Sequence, residues 1–120
     1  MSAREEVLGW GLVDWVELDR IHTVTWRKKN SGEPLPVIQN KTLDLIHSLV
    51  SDGLFVLGDV KRDVGFIAFD TSLEQSIQRI RDVYVTNFHD ANIWMWFCWL
   101  AATEEGLQAA KAHAARQHSA

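Results

Sequence analysis

An amphipathic helix that runs through a single glycine straight into a strand is the feature that most limits how this chain can fold. In residues 36–52, Ile38, Thr42, Leu45 and Leu49 form one stripe, and Leu43, Ile46 and Val50 form another beside it. The spacing predicts a helix. Asp52-Gly53 ends it, with Gly53 placed for a left-handed C-cap. The text LFVLGDV, residues 54–60, follows directly as a strand; KRDVG has turn chemistry, and FIAF reads as the returning strand.

Upstream, residues 2–14 read as a helix that Ser2 can cap, with Glu5 and Glu6 in the first turn where the helix dipole favours acids. Gly9 and Gly11 are costly inside it, so they allow close packing or mark a weak point. Asp14 begins a break that leaves Trp15-Val16 extended. Residues 17–28 suggest a second helix, with Leu18, Ile21, His22 and Thr25 on one face and Arg27, Lys28 and Lys29 at its C-terminal end. NSGEPLP, residues 30–36, is the clearest loop. Downstream, Thr71-Ser72-Leu73-Glu74 has the capping-box pattern and opens an amphipathic helix over 72–86, marked by Leu73, Ile77, Ile80 and Tyr84. NFHDAN reads as a loop.

Four of the six residues from Trp94 to Trp99 are aromatic. Read as a strand, Trp94, Trp96, Cys98 and Leu100 point one way and Met95, Phe97, Trp99 and Ala101 the other. Both faces are apolar, which suits a strand buried on both sides or one whose second face meets a partner. A terminal helix over 103–116 follows, capped by Thr103 with Glu104 and Glu105 in its first turn, and the tail 113–120 is expected to fray.

A length of 120 residues suits one domain, 1–120, with its own core. The net charge of −4 weighs against a general nucleic-acid binder, whose affinity comes from neutralising phosphates. Cys98 is the only cysteine, so an internal disulfide is excluded, and it reads as a small buried hydrophobe. The first residues resemble no signal peptide, and no apolar run approaches about 18 residues. The expectation is a cytoplasmic protein with no membrane contact. The histidines 22, 47, 89, 113 and 118 show no i, i+4 metal spacing. Phosphate loop, nucleophile elbow and calcium loop are missing from the text. His47 falls beside the apolar stripe of its helix and reads as a hydrogen-bonded core residue. His89-Asp90 could orient an imidazole, but one adjacent pair is weak. No enzyme, cofactor, metal or small-molecule substrate is expected.

The order helix, short strand, helix, turn, helix, strand, strand, terminal helix resembles a winged helix-turn-helix domain. Two texts carry the resemblance. TLDLIHSLVSDGLFVLGDV looks like the third helix running into the first wing strand, and WFCWLAATEEGLQAA like the second wing strand running into the next helix. The second is similar to the join in regulators of the multiple-antibiotic-resistance and phenolic-acid-repressor types, two residues longer here. The expected fold is therefore α+β, a divergent winged helix with an extra amphipathic helix inserted before the second wing strand.

The resemblance implies that helix 36–52 is the recognition helix, offering Gln39, Asn40, Lys41 and Thr42 to a major groove. Lys61 and Arg62 would sit at the wing tip, and Arg27, Lys28 and Lys29 would hold phosphates. Asp44 and Asp52 on the same helix would repel a duplex. A module of this class is equally able to bind protein. Trp94, Trp96 and Trp99 would then be the contact residues. Homodimerisation through the small-residue face Leu107, Ala110, Ala114 is a special case, with packing of that face on its own domain equally expected. The expected function is a non-catalytic binding module acting by protein contact or self-association, with duplex-DNA regulation as the alternative.

Overall fold

In the computed structural model, which describes residues 1–29 and 32–119 without the side chains of Lys29, His118 and Ser119, the Ser2 and Thr103 caps written in the sequence start helices. Ser2 accepts a hydrogen bond from the Glu5 amide, and the Glu5 carboxylate returns one from the Ser2 amide, opening α1 (Ala3–Gly11). The helix ends before residue 14, and Gly11 at its end faces the Phe55 ring: an added Cβ would lie 2.8 Å from it. Gly9 faces open space. The two-residue strand β1 (Val16–Glu17) leads into α2 (Leu18–Lys29), and α3 (Leu35–Ser51) follows.

Gly53 adopts φ +77 and closes α3 in the expected way. Its amide donates to Val50 and that of Leu54 to Leu49, satisfying carbonyls the helix leaves open. Strands β2 (Phe55–Lys61) and β3 (Gly65–Ala68) form the hairpin, turning at Asp63, which takes φ 67. Next comes α4 (Leu73–Tyr84), capped one residue later than the sequence suggests. Ser72 and Gln75 make the reciprocal bonds, not Thr71 and Glu74.

The aromatic run departs most from expectation. Residues 94–98 are not a strand. The chain forms a single turn, α5 (Ala91–Trp94), then turns again, and only Trp99 enters β4 (Trp99–Ala102). The alternation of Trp94, Trp96 and Cys98 on one face is therefore lost. The reason lies in where the backbone bonds go. The carbonyls of Met95 and Cys98 accept from the amides of Asp19 and Leu18, the orphan donors at the start of α2. Finally α6 (Glu104–Ser119) continues past residue 116, and His113 is buried rather than frayed.

Among the described residues these elements give an α+β domain with an antiparallel sheet in the order β1-β4-β2-β3. Cross-strand partners Val16, Leu100 and Leu57 share the inner face, where they meet Val7, Ile21, Leu43, Ile46 and Ile80 in one core. Among the described residues no helix is long and apolar enough to cross a membrane.

Candidate functional site

The first half of α3 is covered by α4. His47 meets Glu74 at 2.9 Å, Asn40 accepts from Arg81 at 2.9 Å, and Gln39 donates to the Tyr84 carbonyl at 3.3 Å. As the α3 number falls the α4 number rises, so the two helices run antiparallel. Gln39 and Thr42 are buried, and the Thr42 hydroxyl donates back to Ile38. Neither is presented on the surface, where an expected base-reading residue would meet a groove edge. Asn40 is exposed, but Arg81 engages its carbonyl oxygen. His47 is hydrogen-bonded as expected, yet its side chain is 40% exposed, so it is not a core residue.

Most of the cations expected to touch DNA are engaged by carboxylates. Lys41 pairs with Glu33 at 3.2 Å, while Arg27 and Lys28 both reach Glu6, at 3.2 and 3.0 Å. Lys61 and Arg62 are exposed at the hairpin end, with Asp59 3.9 Å from Lys61. The side chain of Lys29 lies outside the described residues. Lys28 and Lys41 do converge, on a cavity they share with Arg4, a residue that no sequence pattern singles out.

The three tryptophans proposed as contacts separate. Trp94 is only 4% exposed, and its indole N–H donates to the Phe88 carbonyl, so it anchors the core rather than a partner. Trp96 is 52% exposed and stacks on Trp99, with ring centroids 5.8 Å apart. Trp99 is cross-strand from Gly58, which puts it on the outer sheet face with Val56 and Ala101 by alternation. Phe66, paired with Val60, shares that face, and Trp15 packs on it at 6.3 Å between centroids. Gly58 lets β3 curl over this side: a Cβ there would meet the Ile67 carbonyl at 2.3 Å. Trp15 and Val56 are each 38% exposed. The outcome is a partly open aromatic face of Trp15, Val56, Phe66, Trp96 and Trp99. Its carboxylate, Glu17 at the β1 edge, is buried and paired with Arg20 at 2.9 Å. Trp15 and Phe66 sit at element ends, where no periodicity marks them.

The terminal helix packs on its own domain, one of the two uses expected for its small-residue face. Ala110 is buried in the core, and His113 pairs with Glu5 of α1 at 3.1 Å. The small residues let α6 approach α1 within the chain.

Reactive groups are turned inward. Cys98 is fully buried, and that burial pushes its thiol well above the ordinary range. The Tyr84 hydroxyl is raised likewise, so it remains a phenol, hydrogen-bonded to His22 Nδ1. His22 packs among Tyr84, Phe88 and Trp94, and desolvation there lowers its pKa. His89 is exposed beside Asp90, whose side chain makes no cap bond to α5. Among the described residues there is no group of three or more metal-ligating side chains.

Compared with protein-family models, curated proteins and solved structures, the chain matches none.

Proposed function

We propose that this chain is a non-catalytic protein-binding module, a divergent winged helix that associates with a second copy of itself through its outer sheet face. The observation that carries the reading is Trp96, half exposed and stacked on Trp99, on a surface continuous with Phe66 and Trp15. Exposed tryptophans are typical interface anchors. The named residues of the face are apolar, and the Glu17 carboxylate beside them is already paired with Arg20.

The winged-helix assignment rests on the sheet order. Strand β4 lies between β1 and β2, the arrangement a second wing strand would take, while β3, α4 and α5 form the insertion. The DNA alternative loses support from the same insertion, because α4 buries Gln39 and Thr42 of the four residues that would read bases.

Acrylamide quenching of tryptophan fluorescence tests the proposal. Raising the protein concentration should protect a quenchable tryptophan, and a Trp96→Phe variant should lack that component. Quenching that is independent of concentration would contradict self-association.

A further inference from the structure

A cavity of about 230 Å³ lies between the first three helices and shares no residue with the aromatic face. Each helix contributes one cation to its lining: Arg4 from α1, Lys28 from α2 and Lys41 from α3. Ser2, Thr25 and Leu45 lie among them. In a chain with net charge −4, three cations from separate helices around one cavity, with their carboxylate partners outside its described lining, are a specific arrangement.

We propose that this cavity is a binding site for a small phosphate monoester. Arg4, Lys28 and Lys41 supply charge-assisted donors to the phosphate oxygens. The Ser2 hydroxyl accepts from the Glu5 amide and so keeps its own proton free to donate. The organic part of the ester lies against Leu45, on a lining more apolar than polar. The cavity is smaller than the usual range for drug-sized ligands, which selects a compact ester.

Each cation already has a carboxylate partner: Asp52 for Arg4 at 2.6 Å, Glu6 for Lys28 and Glu33 for Lys41. Asp52 and Glu33 are well exposed, at 55% and 38%. Those two exposed pairs are weak and exchange readily for a doubly charged anion, while Glu6, its side chain only 19% exposed, is shared between Lys28 and Arg27. Arg4 is further steadied by donating to the Ser48 hydroxyl at 2.9 Å, so its guanidinium is held near the cavity.

The test is a titration of the full chain with inorganic phosphate and then phenyl phosphate, read by amide chemical shifts. Saturable shifts confined to Ser2–Arg4, Thr25, Lys28, Lys41 and Leu45 are expected, with phenyl phosphate tighter than inorganic phosphate. A Lys28→Gln/Lys41→Gln variant should weaken phenyl phosphate binding roughly tenfold or more, while Lys61→Gln leaves it unchanged. Equal weakening by Lys61→Gln would overturn the site, as would the absence of saturable shifts. A short DNA duplex that shifts these residues when phenyl phosphate does not would also overturn it, and would assign the cations to a nucleic-acid backbone.

Discussion

Gln39 donates its side-chain amide to the backbone carbonyl of Tyr84, and that bond fixes which way the first half of α3 faces. A glutamine that would read bases in an open winged helix is here a buried tie between α3 and α4. Replacing it should therefore change stability rather than DNA affinity. Gln39→Ala is expected to cost about 1–2 kcal/mol, because a buried carbonyl loses its partner. The shift in urea midpoint measures it. Fragmented duplex DNA should show no saturable binding to the wild type at low salt. Tight binding that weakens steeply with salt would restore the DNA reading.

Thr103 joins the two texts that resemble a winged helix. Its hydroxyl donates to the Gly53 carbonyl at 2.6 Å and accepts from the Gly106 amide at 3.0 Å. Gly106 has no room for a side chain, since a Cβ would lie 2.0 Å from the Leu54 carbonyl. Gly106→Ala should destabilise the fold by about 3 kcal/mol, the cost of forcing backbone apart in a packed site. Thr103→Val should cost about 1 kcal/mol through the lost cap. Thermal unfolding of both variants checks the order. Equal effects would mean the helix shifts to admit the methyl group.

His22 gives the fold a pH dependence. Burial lowers its folded pKa below the ordinary 6.5, so below that value the unfolded chain binds more protons than the native one. The stability from neutral His22 is fully present above 6.5 and is lost as pH falls through the folded pKa. The urea midpoint should drop between neutral and mildly acidic pH, and less so in His22→Phe. An identical drop in that variant would place the sensitivity elsewhere.

Much of this architecture is written locally. Ser2 with Glu5, Gly53 at the end of α3 and Thr103 before α6 each act within a few residues, so the helices begin and end close to where the sequence puts them. The aromatic run failed for the opposite reason. Its alternation fits a strand, but Trp94 is held by the Phe88 carbonyl, and Met95 and Cys98 serve the start of α2. Those partners come from other parts of the chain. The burial of Gln39 was equally invisible, because it depends on a helix more than thirty positions away folding back over α3 (residue separation 45). Of the aromatic face, Trp96 and Trp99 were legible as unusual residues, while Trp15 and Phe66 join only through the curl of the sheet at Gly58.

Salt should act on association in the direction opposite to DNA binding. Two copies of a chain with net charge −4 repel weakly, and added salt screens that repulsion while leaving apolar contact intact. Dimer formation is expected to strengthen between low and moderate salt. A marked weakening would point to a contact built from opposite charges.

Sedimentation equilibrium of the wild type beside Trp96→Asp is the most direct measurement. Trp96 is half exposed, so the substitution should leave the helical circular dichroism unchanged while placing a charge in the aromatic face. The expected result is a concentration-dependent monomer–dimer equilibrium in the wild type and a monomer in the variant. A wild type that remains monomeric across the whole range, or a dimer indifferent to Trp96→Asp, would contradict the proposed interface.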